Sequence, residues 1–123
     1  MYLDWNAVVA LDGIMVYPGA MQWVTFESIR ECIRTGHFED VFKPHTEKSH
    51  HAARIASLVR YLCLGVKLEP LRLHESAHFI DIKDGSHRLR AYQYIGSLDL
   101  IPVSVEGNPK RVYDAGINAA NYL

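Results

Sequence analysis

Cysteine is scarce in this chain: two in 123 residues, Cys32 and Cys63, with no Cys-x-x-Cys pair. No disulfide framework can be argued from so few thiols. Both sit among apolar residues in helical patterns, so the expectation is two buried free thiols. Long apolar runs are missing too. Nothing approaches the roughly 20 residues that cross a bilayer, and no basic stretch followed by an apolar one stands at the N-terminus. The expectation is a cytoplasmic protein with no membrane partner. Charge of one sign is also lacking, with 13 Lys and Arg against 14 Asp and Glu and a formal net charge of −1. Gripping nucleic acid by bulk charge needs many Lys/Arg–phosphate contacts, so this balance argues against it while allowing a local basic patch. There are no repeats, low-complexity tracts or linkers, which points to a single domain over residues 1–123. What is present is apolar: 49% of the residues are hydrophobic, enough for one sizeable core without disulfides or a structural metal.

Periodicity orders the elements. Asn6–Leu11 is a short apolar run that reads as a strand, closed by a turn at Asp12-Gly13, and Tyr17-Pro18-Gly19 is a second break. Thr25 is placed to cap a helix reaching Ile33, with Phe26, Ile29 and Ile33 at helical spacing and Gly36 as its stop. Residues 36–49 are polar and irregular. Ala52, Ile55, Ala56, Val59, Leu62 and Cys63 recur at intervals of three and four, predicting a stronger helix ended by Gly65. Leu71/Leu73 and Ile80/Ile82 alternate with polar residues, predicting a hairpin with Glu75-Ser76-Ala77 in its loop. A helix then starts near Ser86, carries Leu89, Tyr92 and Ile95 on one face, and stops at Gly96. Leu100–Val105 is a last strand before Gly107, and Val112–Leu123 adds a short helix or a loose tail. The fold class is α/β in the broad sense (α+β), a small mixed sheet with flanking helices.

Asp84-Gly85-Ser86-His87-Arg88-Leu89-Arg90 carries the chemistry. A strand ends, a glycine turns the chain sharply, and a helix begins. The first turn of a helix leaves backbone N–H groups without partners, and the helix dipole adds partial positive charge there. Such an end attracts phosphate. Glycine lets the backbone approach a ligand. Ser86 can cap the helix or bond an anion, while His87 and Arg88 add donors, Arg88 in a bidentate geometry. Arg90 shares a helical face with His87. Asp84 can hold Arg88 or help bind a metal that accompanies a nucleotide.

Gly85-Ser86-His87-Arg88-Leu89-Arg90-Ala91 resembles the nucleotide-binding box of ParB-like domains. Gly65-Val66-Lys67-Leu68-Glu69-Pro70-Leu71 resembles the family's glycine-to-proline lead into a strand, and Gly96 with Ile101-Pro102-Val103 resembles its final strand. The likeness to the ParB/sulfiredoxin superfamily covers roughly residues 54–107, three motifs in order. It implies that Gly85, Ser86, His87 and Arg88 contact phosphates of ATP or CTP, with magnesium, that Arg90 supports them, and that Glu69 and Pro70 line the pocket. Hydrolysis or phosphate transfer would need a carboxylate, for which Glu69 and Asp81 are candidates beside His87. Sulfiredoxins place a reactive cysteine just before the His-Arg pair. Ser86 stands there, which argues against that chemistry. Partition proteins of the family also carry a helix-turn-helix and a dimerisation domain. No such segment lies in these 123 residues, which argues against sequence-specific DNA binding.

His74-Glu75-Ser76-Ala77-His78 fits the His-Glu-x-x-His pattern of zinc proteases, which requires a helix. The period-two alternation around it predicts a hairpin instead, leaving two imidazoles near a loop tip or an incidental metal site across it. His45, His50 and His51 form a looser cluster near a helix start, where such residues are usually solvated; the alternative is donation to a substrate near the phosphate turn. Trp5, Trp23 and the tyrosines read as core or rim packing, with Tyr92 and Tyr94 on different helix faces. Two further classes stand beside nucleotide binding. One is a non-catalytic protein-docking module or inhibitor from a mobile element. The other is a metal-dependent DNA nuclease, which near-neutral charge disfavours.

Overall fold

The computed structural model describes residues 2–10, 15–16, 20–39, 50–107 and 110–113. Strand β1 (Tyr2–Leu3) leads into helix α1 (Trp5–Val9). Strand β2 (Met15–Val16) and a 3₁₀ turn (Ala20–Trp23) precede helices α2 (Phe26–Thr35) and α3 (His50–Cys63). The hairpin β3 (Leu71–Glu75) and β4 (Phe79–Asp84), helix α4 (Ser86–Ile95) and strand β5 (Ile101–Gly107) follow. The strands form one mixed sheet in the order β1-β5-β3-β4-β2. The β3–β4 and β1–β5 pairs are antiparallel, whereas β3–β5 and β2–β4 are parallel. The class is α+β, a mixed sheet with flanking helices.

Local chemistry explains most boundaries. Thr25 accepts a hydrogen bond from the Ser28 amide at 3.1 Å and so caps α2. Gly36 closes that helix at φ 71°, a conformation glycine reaches without strain. Along β3, Leu71, Leu73 and Glu75 point into the core while Arg72 and His74 face out, the alternation a half-buried strand demands. The register slips between Arg72 and Leu73. Arg72 stands opposite Asp84 and Leu73 opposite Ile82, leaving Lys83 as an extra residue on β4. This bulge lies just before the turn into α4, a place where bulges re-aim the chain.

Two apolar clusters form the core. Leu71, Leu73, Ile80, Ile101 and Val103 of the sheet pack with Trp5, Val8, Leu89, Tyr92 and Val112. Ile29, Ile55, Ala56, Val59 and Ala91 join α2, α3 and α4, and half-buried Leu62 and Leu68 touch both clusters.

Several expectations are corrected. The strand expected over Asn6–Leu11 does not form at its described residues: Trp5–Val9 is helical, capped by the Asp4 carboxylate, which accepts from the Asn6 amide at 2.9 Å. Trp5 and Val8, three apart, are the residues buried there, so helical spacing prevails over the β-branched pair Val8-Val9. Ile95 is exposed, and Ala91 takes the buried position against α3. The two thiols are free, but Cys32 is half-buried and Cys63 exposed. The expected turn at Asp12-Gly13, the break at Tyr17-Pro18-Gly19, the irregular stretch 40–49 with His45, and residues 114–123 lie outside the described residues. No described helix is long and apolar enough to cross a membrane.

Candidate functional site

A cavity of about 650 Å³ opens between α3, the lead into β3 and the first turn of α4. Its lining combines two kinds of residue. Arg54, Lys67, Glu69, Asp84, His87 and Arg88 supply charge and polarity, together with the backbone of Gly85, while Leu58, Tyr61, Val66 and Leu68 form an apolar wall. Three permanent cations face two carboxylates, and the positive end of the α4 dipole adds to the excess.

The turn is built for this place. Gly85 takes φ 109° and ψ 17° as N-cap of α4, and no side chain caps the helix. A β-carbon on Gly85 would lie 2.6 Å from Leu71 Cδ2 and 3.2 Å from Arg88 Nη2. Glycine is thus required by the packing of Leu71 and Arg88 as well as by the positive φ. Arg88 donates through Nη1 to the carbonyls of Glu69 (2.8 Å) and Pro70 (2.9 Å), and its Nη2 pairs with Asp84 at 3.0 Å. The guanidinium therefore ties two cavity walls together. Asp84 is bound to this task, which is the first of the two roles the sequence allowed it.

Of the residues singled out from sequence, Glu69, Asp84, Gly85, His87 and Arg88 come together at the cavity. Pro70, expected to line the pocket, is not part of its wall; its carbonyl accepts from Arg88 beside it. Ser86 is the first residue of α4 and is half-buried beside the turn, not part of the cavity wall. Arg90 points elsewhere. Its Nε and Nη2 donate to the Val24 carbonyl at 3.1 and 2.9 Å, and its guanidinium lies 4.3 Å from the centre of the Phe26 ring. Burial lowers its pKa from the usual guanidinium value. Asp81 also lies apart, on β4 opposite His74, with Oδ2 3.5 Å from the Lys83 amine.

Arg54 was missed. It is 7% exposed, lines the cavity, and its Nε and Nη2 are buried without a hydrogen-bond partner among the described residues. Arg54, Leu58 and Tyr61 stand at i, i+4 and i+7 on α3, so one helix face forms this wall. The legible signal was a second stripe beside the core stripe, apolar Leu58 and Tyr61 headed by an arginine. The looser histidine cluster sends one member here: His51 Nδ1 lies 2.7 Å from His87 Nε2.

The His-Glu-x-x-His stretch has no helix. His74 and Glu75 end β3, and Ser76–His78 turn the hairpin. Glu75 is 3% exposed, and its carboxylate accepts the amides of Val112 at 2.7 Å and Arg111 at 3.1 Å. No group of three or more potential metal ligands occurs among the described residues. The chain matches no family model, no curated protein and no solved structure.

Proposed function

We propose that this protein binds a nucleotide, ATP or CTP, by its phosphates at the charged residues of the cavity. One observation carries the reading: Arg54, a buried guanidinium with unpartnered nitrogens, lines the same cavity as the uncapped start of α4. A buried cation without a partner is costly. An anion that meets Arg54 together with Lys67, His87 and the α4 amides offsets that cost through charge-assisted hydrogen bonds. The apolar wall of Leu58, Tyr61 and Val66 suits the rest of such a ligand. The resemblance of residues 54–107 to ParB-like domains supports the same reading. Hydrolysis or transfer of the terminal phosphate, if it follows binding, falls to Glu69 among the two candidate carboxylates, since Glu69 lines the cavity and Asp81 does not.

Calorimetric titration with ATP and CTP, with and without magnesium, tests the reading. Arg88→Ala is a poor probe because it removes the bonds to Glu69, Pro70 and Asp84. Lys67→Glu changes an exposed residue and should weaken binding by about tenfold or more, as loss of a charge-assisted contact does. Arg54→Gln should weaken it at least as much, provided circular dichroism shows an intact fold. No binding of either nucleotide, or wild-type affinity in Lys67→Glu and folded Arg54→Gln, overturns the proposal.

A further inference from the structure

His51 on α3 and His87 on α4 meet where these helices pack. Besides the 2.7 Å contact between His51 Nδ1 and His87 Nε2, the rings stack with centroids 4.9 Å apart and planes 26° apart. On its other flank His51 meets Trp23, whose ring stands perpendicular to it at 5.1 Å. His51 is thus fixed from two sides, while His87 lines the cavity.

Two ring nitrogens at that distance share a single hydrogen, one ring donating and the other accepting. The choice made at Nε2 of His87 decides the state of its opposite nitrogen. When Nε2 accepts from His51, a neutral His87 carries its hydrogen on Nδ1. A second proton cannot be placed in the gap, because two N–H groups would then face each other. The surroundings act on the pair as well. His50 and Arg54 stand on α3, Lys67 and Glu69 on the lead into β3, and Asp84 and Arg88 flank the turn, with Asp84 already paired to Arg88. The cations oppose further positive charge on the pair, and an anion in the cavity relieves that opposition.

We propose that His51 is a positioning residue for His87: it dictates which His87 nitrogen carries the hydrogen and holds the pair to one added proton. The purpose assigned to it, presenting a defined donor to a phosphate, rests on the nucleotide reading, but the pair is measurable without a ligand. Nitrogen NMR of protein carrying ¹⁵N-histidine, followed across the imidazole range, reads tautomer and charge of each ring. The two rings should titrate as a coupled pair, with steps separated by more than about one pH unit. In His51→Phe, the second step should vanish and the tautomer of His87 should change. His51→Asn, whose amide can donate as Nδ1–H does, should restore the His87 tautomer. Calorimetry with sulfate, which does not titrate in this range, should show proton uptake on binding to wild type, with a pH dependence that changes in His51→Phe. A single-step, uncoupled titration of His87 in wild type overturns the proposal and leaves nucleotide binding standing. The same His87 tautomer and titration in His51→Phe as in wild type also overturns it. A coupled titration in wild type and a His87 tautomer restored by His51→Asn, without binding of sulfate or ATP, uphold the pair and overturn the nucleotide reading instead.

Discussion

His74-Glu75-Ser76-Ala77-His78 and Asp84-Gly85-Ser86-His87-Arg88 have equal length, each joins a carboxylate to imidazole, and they put charge to opposite uses. In the first, strand geometry sends His74 and Glu75 to opposite faces of the sheet, and the carboxylate is used up inside the protein on the Arg111 and Val112 amides. In the second, a glycine turn starts a helix, the carboxylate is neutralised by Arg88, and polar groups are left facing a cavity. Residue type alone does not separate a structural tie from a receptor. Backbone conformation does, because it decides whether charge meets an internal amide or an opening.

The largest effect should come from cutting the tie. Glu75→Ala leaves two amides of the Lys110–Tyr113 turn without their acceptor and should cost about 3 kcal/mol in urea unfolding. Zinc titration should show no tight binding in either protein, and zinc that binds wild type but not this variant would break the comparison. Gly85→Ala should cost about 2 kcal/mol, because the residue must keep a positive φ and the new methyl meets Leu71. A melting temperature unchanged by this substitution would remove the steric argument for the turn. Tyr92 gives a pH-dependent effect on the core side of the same helix. Burial raises its phenol pKa above the ordinary value. Its stabilising contribution is therefore complete below the unfolded value of about 10 and is lost as pH rises through the folded one. Melting temperatures should fall more steeply in that window for wild type than for Tyr92→Phe. The smallest effect belongs to the Arg72–Glu106 pair at 2.9 Å on the open sheet face. Its hydrogen bond lowers the Glu106 carboxyl and raises the Arg72 guanidinium, yet water and salt screen it. Glu106→Gln should leave the urea midpoint within experimental scatter.

How much could be read beforehand follows from the range of each interaction. Thr25, Gly36, Gly65 and Gly96 act on their own turn of chain, so their helices were legible, as was the alternation of β3 and β4. The meeting of Glu69, Gly85, His87 and Arg88 was legible in outline through the three motifs. Helix α1 was misread because Asp4 was not weighed as a cap for a five-residue helix. Arg54 escaped notice because the stripe it heads, Leu58 and Tyr61, runs beside the stronger core stripe of Ile55, Ala56 and Val59 on the same helix. Arg90 was assigned by its helical spacing from His87, whereas its partner Val24 lies 66 residues away and no local rule reaches that far.

That long reach has a practical side. By holding the Val24 carbonyl, Arg90 anchors the segment bearing Trp23 to the helix whose opposite end starts the cavity wall. Trp23 is 52% exposed beside His51, whereas Trp5, at 2%, sits sealed in the core. Indole emission is quenched by a neighbouring imidazolium and much less by neutral imidazole. Trp23 emission should therefore follow the charge on His51, against a steady background from Trp5.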